Sequence, residues 1–156
     1  MAKKRKKTGI TETERYEIEI EDWEVYSHFG INMGRKKFFP GDYREHSKLS
    51  IHGNILSPLL KIASKAKIEI IDSPEFDDHW KEAEAEKPPF AIGWMEVPRG
   101  DNTLQMDCWI PTRLFNYISI AIASEKIKYA SIFGTKLKWR RGDIFDITFS
   151  TIREEY

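Results

Sequence analysis

The feature that most constrains this fold is a regular alternation of apolar and polar residues over several short runs. Between residues 16 and 20, tyrosine and isoleucine alternate with glutamate, and residues 49–55 and 104–110 repeat the pattern with other side chains. Successive side chains of a β-strand point to opposite faces of a sheet, so each run predicts a strand with one buried face. The sequence therefore predicts a mainly β protein.

The first of these strands changes phase partway along. Its apolar residues have even numbers up to Ile20, whereas Trp23, Val25 and Phe29 have odd numbers. A slip of one residue moves every following side chain to the other face of the sheet. A β-bulge inserts one extra residue and corrects such a slip, so we predict a bulge or bend near Glu21–Trp23.

One segment follows a helical pattern instead. Thr112 comes directly after Pro111 and can cap a helix in which Leu114 and Ile118 share the packed side. A strand through residues 118–122 is the alternative. About eight short strands with no recurring strand–helix–strand unit exclude a doubly wound α/β fold. We predict a two-layer antiparallel β-sandwich or a curved sheet, with one helix at about residues 112–125.

Charge divides the chain into an arm and a body. Its 25 basic and 25 acidic residues give a formal net charge of zero. Five of the basic residues lie in the first seven positions, at Lys3, Lys4, Arg5, Lys6 and Lys7. The rest of the chain then has 20 basic and 25 acidic residues, a formal charge of −5. We predict a flexible basic arm at residues 1–11 and a single β-rich domain at residues 12–156.

The composition indicates a soluble globular protein. Hydrophobic residues make up 40% of the 156 residues, too large a share for a disordered chain. No apolar run approaches the roughly 18 residues of a membrane-spanning helix. Polar residues follow the basic start, where a signal peptide would be apolar. The single cysteine excludes an internal disulfide framework. We expect a cytoplasmic protein that does not interact with membranes.

A second basic region lies near the C-terminus. If it forms a strand, its leucine and tryptophan face inward while three cations share the outer face. Those cations are Lys136, Lys138 and Arg140. Together with the basic arm they form a candidate surface for the phosphates of a nucleic acid. A solvated charged strand face is the alternative, and the balanced net charge favours it.

Common catalytic motifs are missing from the sequence. It contains no glycine-rich phosphate loop, no His-Glu-x-x-His zinc motif and no Gly-x-Ser-x-Gly nucleophile elbow. Cys108 is the candidate nucleophile, but its strand phase places it with Leu104 and Met106 on a buried face. A thiol in such surroundings has a raised pKa and little reactivity. We therefore predict no catalytic cysteine and no cofactor.

Two histidines offer a candidate metal site. The strands at residues 25–31 and 49–55 are predicted to pair as a hairpin centred on Pro40. Facing residues then have numbers that sum to 80, so His28 lies opposite His52. Facing side chains have Cβ atoms about 5 Å apart, close enough for two imidazoles to share a zinc ion. A register change of two residues would separate the pair.

Three functions are compatible with these features. The leading hypothesis is a non-catalytic binding domain that contacts another protein, because the core pattern is clear and no catalytic constellation accompanies it. The first alternative is non-specific nucleic-acid association through the arm and the strand around Lys138. The second alternative is a metal-dependent enzyme that gathers histidines and carboxylates from separate strands.

Overall fold

The computed structural model describes residues 11–31, 43–74 and 91–153. Seven strands and one helix make up this part of the chain: β1 (Thr13–Ile31), β2 (Tyr43–Ser57), β3 (Lys65–Asp72), β4 (Gly93–Glu96), β5 (Thr103–Ile110), α1 (Thr112–Ala123), β6 (Tyr129–Thr135) and β7 (Arg141–Ser150). The prediction of a mainly β protein with one helix is confirmed.

The strands form one closed barrel in the order β1-β2-β3-β5-β4-β7-β6. The ring closes because the first part of β1, Thr13–Glu19, pairs with β6 while the strand also pairs with β2. β3 and β5 run parallel, and the other neighbouring strands run antiparallel. The prediction of a two-layer sandwich or an open curved sheet is wrong, since the two ends of the sheet meet.

The predicted bulge in β1 is confirmed. The register between β1 and β2 shifts between Ile20 and Asp22, and a second shift lies nearer the start of β1. Gly53 faces Ile20, and a Cβ atom at this glycine would overlap the backbone oxygen of Glu19. Bulges and close backbone approaches of this kind bend a strand pair, which here lets β1 and β2 follow the curve of the barrel.

The barrel interior holds the hydrophobic core. Side chains along β3 and β5 alternate between buried and partly exposed positions. Leu104, Met106 and Cys108 of β5 are fully buried, as are Ile68 and Ile70 of β3. The buried strand face predicted from the sequence alternation is therefore confirmed for β5. The apolar residues Tyr16, Ile18, Leu49, Ile51 and Ile55 are buried as predicted, but Glu17 and Ser50, predicted on the outer face, are buried as well.

The helix α1 covers one end of the barrel. We call this the α1 end; β3 and β5 finish there and β6 begins. Phe115 and Ile122 of the helix are buried against the core. The predicted capping role of Thr112 is wrong, because Pro111 occupies the N-cap position. The Thr112 hydroxyl instead donates to Asp72 Oδ1 at 2.6 Å and ties the start of the helix to the end of β3.

Several predictions fall beyond the described residues. The five arm cations at residues 3–7 and the hairpin loop around Pro40 lie there. The division into an arm at residues 1–11 and a domain at residues 12–156 stays a prediction, as does the cytoplasmic location. Within the described ranges, no helix has the length and apolar character needed to cross a membrane.

Candidate binding surfaces

The predicted basic strand is a tight turn between β6 and β7. Lys138 and Arg141 exchange backbone hydrogen bonds of 2.8 and 3.1 Å, with Trp139 and Arg140 between them at φ of 54° and 71°. Two-residue hairpin turns with two positive φ angles match the twist of the flanking strands. The turn carries Trp139 outward, and 88% of its surface is exposed. The predicted inward orientation of this tryptophan is wrong, whereas Leu137 packs against the core as predicted.

The three predicted basic residues differ in their contacts within the protein. Arg140 donates from Nε to the Val97 carbonyl at 2.6 Å and from Nη2 to the Pro98 carbonyl at 2.9 Å. Lys136 pairs with Glu12 at 3.2 Å. Lys138 is exposed and forms no ion pair within the described part of the chain. Of these three cations, Lys138 is the one whose ammonium group forms no ion pair or hydrogen bond with the described residues.

An open cleft of about 970 Å³ lies beside this hairpin. Its lining includes three basic residues, Lys136, Lys138 and Arg141, and three acidic ones, Glu12, Glu96 and Asp143. Thr11, the first described residue, also lines the cleft. The last residue of the predicted arm therefore lies at this cleft.

The histidine pair predicted from the sequence does not form. In the observed register His28 faces His46, and His52 faces Asp22. The residue numbers of facing pairs in this part of the hairpin sum to 74, whereas a hairpin centred on Pro40 would give 80. The observed register therefore differs from the predicted one by six residues. The predicted pairing of His28 with His52 is wrong. Among the described residues, no group of three or more histidine, cysteine or acidic side chains is arranged to hold a metal ion.

Cys108 lies in the barrel interior with none of its surface exposed. Burial, reinforced by the negative charge of Asp107, raises the pKa of its thiol to about 12. The nucleophilic form of cysteine is the thiolate, which this environment disfavours. The buried position predicted for this residue is confirmed.

We expect the Cys108 thiol of the native protein to react with a thiol-specific reagent at neutral pH at least about 100-fold more slowly than in urea, because reaction requires opening of the barrel. The release of chromophore from an aromatic disulfide reagent measures both rates. The urea sample serves as the control that the thiol is intact. Labelling at comparable rates in the two states would contradict the buried assignment.

The helix α1 has an exposed apolar surface that was not predicted from the sequence. Tyr117 and Ile120 expose 75% and 72% of their surface, and Leu114, predicted on the packed side, exposes 46%. Eight of the twelve residues of α1 are apolar or aromatic, and the polar residues Arg113 and Asn116 are exposed beside this surface. The barrel covers the side of the helix that holds Phe115 and Ile122. The sequence shows that the helix is rich in apolar residues, but only the fold shows which of them the barrel leaves exposed.

A two-stranded ribbon lies at the same end of the barrel. β1 pairs with β6 only as far as Glu19, and β2 pairs with β3 only from Lys48 onward. Among the described strands, β1 therefore pairs with β2 alone from Asp22 onward, and residues 27–31 and 43–47 form a ribbon of two strands only. Lys48 faces Ile71, which in turn pairs with Trp109 just before α1. The ribbon therefore projects from the α1 end.

Neither a protein-family model, nor a curated protein, nor a solved structure matches this chain.

Proposed function

We propose that this protein is a non-catalytic binding domain whose partner is another protein. The observation that carries the proposal is the outward side of α1, where Leu114, Tyr117 and Ile120 are exposed on a helix whose other side is packed on the core. Contiguous exposed apolar side chains rimmed by polar residues are typical of protein interaction surfaces. Tyrosine is also among the residues that contribute most to binding at such surfaces.

The interior of the barrel supports a binding role over a catalytic one. Its side chains are packed apolar groups, and the one cysteine among them has a disfavoured thiolate. The cleft beside the hairpin is open, and four of its six charged groups are engaged with each other in the Lys136–Glu12 and Arg141–Glu96 pairs. Recognition through the outer surface is therefore the function that this geometry favours.

The proposal predicts that Tyr117→Ser combined with Ile120→Ser leaves the fold intact and weakens partner binding at least tenfold. The substituted side chains are exposed, so the melting temperature should move by about 2 °C or less. Loss of two central apolar contacts at an interface costs about 2 kcal/mol or more. Affinity capture with each variant, followed by titration calorimetry on the purified partner, measures the effect.

Trp139→Ser is the matched control, because it removes a similarly exposed aromatic side chain from the turn after β6, at the opposite end of the barrel. We expect this control to bind the partner as the wild type does. A partner that binds the α1 variant and the wild type with equal affinity would exclude α1 as the interaction surface.

A second candidate is nucleic-acid binding at the cleft beside Lys138. The observation that favours it is that Thr11, the last residue of the predicted arm, lines this cleft together with Lys136 and Lys138. The exposed Trp139 adds a ring on which a base could stack, as aromatic residues do in proteins that bind single strands. Against it, Arg140 is held by two backbone carbonyls and Lys136 by Glu12.

Removal of residues 1–7 tests this second candidate. Their composition is charged with almost no apolar surface, so we expect an unchanged melting temperature. If the arm contacts phosphates, affinity for a 20-nucleotide single strand should fall, and the slope of log Kd against log salt should flatten by about 0.7 for each lost contact. No binding by the intact protein even at low salt would eliminate this candidate.

A further inference from the structure

β1 has one edge without a strand partner among the described residues. β6 covers the outer edge of β1 through Glu19, and the Ile20 N–H still bonds to the Lys128 carbonyl at 2.8 Å. From Asp22 to Ser27, β1 pairs with β2 on one side and with no described strand on the other. Six residues span about 20 Å, which is a common strand length. This edge is long enough to pair with one further strand.

The pairing pattern identifies the backbone groups at this edge. Odd-numbered β2 residues point their backbone groups toward β3, as the Ile55 N–H does toward the Ser64 carbonyl. The even-numbered β2 residues therefore bond to their partners in β1, which are also even-numbered in this part of the register. The backbone N–H and C=O groups of Trp23, Val25 and Ser27 consequently point away from β2. Consistently, the Trp23 N–H donates to its neighbour Asp22 Oδ1 at 2.8 Å instead of to β2.

The two faces beside the edge differ in chemistry. Asp22 and Glu24 are exposed on the outer face, and neither forms an ion pair within the described residues. On the face that continues the barrel interior lie Trp23, which packs partly on the core, and Val25, which is 46% exposed. A strand added here would place alternate side chains beside carboxylates and beside apolar groups.

Charge decides between the candidate occupants. A second copy of the chain would bring its own Asp22 and Glu24 to the same edge, and like charges on neighbouring strands are destabilising. A strand with lysine or arginine at every second position would instead pair these carboxylates with cations. The intervening positions would be apolar, to match Trp23 and Val25.

We propose that the β1 edge from Asp22 to Ser27 binds, by strand addition, an extended peptide in which lysine or arginine alternates with apolar residues. Main-chain hydrogen bonds supply affinity in this mode of recognition, and the alternating side chains supply specificity. The inference rests on the proposed function in one respect, that the partner is a protein, but it uses a surface separate from the outward side of α1.

The test uses the full chain and a fluorescein-labelled heptapeptide of alternating lysine and valine, with fluorescence anisotropy as the readout. Val25→Pro removes the edge N–H, and proline is tolerated on an edge whose N–H faces solvent. We expect Val25→Pro to weaken binding at least tenfold, whereas Val25→Ala, which keeps the N–H, should change it less than threefold. Circular dichroism checks that both variants keep the barrel.

Charge reversal gives a second and independent measurement. Glu24→Lys should weaken binding of the lysine–valine peptide at least fivefold and strengthen binding of a glutamate–valine peptide. Glu125→Lys, an exposed change just after α1, is the matched control and should alter neither. If Val25→Pro does not fold, this pair of variants still decides the outcome.

The α1 variant Tyr117→Ser/Ile120→Ser separates this inference from the proposed function, because it should bind the peptide as the wild type does. Three results would overturn the inference: equal affinity of wild type for the two peptides, equal affinity of Val25→Pro and Val25→Ala, or self-association of the chain that Val25→Pro abolishes. The last result would identify a second copy as the occupant of the edge.

Discussion

Replacing Gly93 with alanine is expected to lower the free energy of unfolding by about 4 kcal/mol or more. Gly93 begins β4 and is buried between Cys108 of β5 and Ile144 of β7. A Cβ atom there would overlap the backbone oxygen of Asp107, which cannot move without separating two paired strands. Domains of this size are stable by roughly 5–15 kcal/mol, so this loss removes between about a quarter and four fifths of the total stability. Urea unfolding followed by circular dichroism gives the value.

Gly100→Ala is the matched control for this prediction. Gly100 has a φ of 81°, and no atom lies within 4 Å of the position that its Cβ would take. The substitution therefore adds backbone strain alone, and we expect a loss of about 1 kcal/mol. Similar losses at Gly93 and Gly100 would contradict the close approach of β4 and β5.

Leu104→Ala is expected to cost about 3 kcal/mol, within the range for buried leucines. Leu104 lies on β5 with none of its surface exposed, and its truncation leaves a cavity in the barrel interior. Leu59→Ala is the matched control, because Leu59 exposes 87% of its surface and should change stability by less than about 0.5 kcal/mol. Thermal melting of the two variants compares them directly. Equal destabilisation would mean that β5 does not face a closed interior.

The local elements of this fold were predictable because their signals are local. The alternation between residues 16 and 20 specifies a strand face, and the change of phase before Trp23 specifies the bulge near Asp22. Closure of the barrel was not predictable in the same way. It depends on β1 pairing with β6, more than 100 residues away in the sequence. A sandwich and a barrel both bury alternate residues, so the pattern does not separate them.

The candidate surfaces were predicted less well, for reasons of register and turn geometry. Because the observed register of the hairpin differs from the predicted one, His28 faces His46 and not His52. The turn has positive φ at Trp139 and Arg140, residue types that rarely adopt it. Neither residue type therefore indicates such a turn, and the segment was predicted as a strand. The apolar side of α1 was overlooked because a helical pattern shows that a side is apolar without showing what covers it.

Photo-crosslinking in cells can show whether the outward side of α1 contacts another protein. A benzophenone amino acid in place of Tyr117 should give a discrete adduct with another protein. The same photoreactive residue in place of Trp139, which is similarly exposed at the opposite end of β6, should give no such adduct. If position 117 gives no protein adduct, or if only position 139 gives one, the outward side of α1 is not the interaction surface.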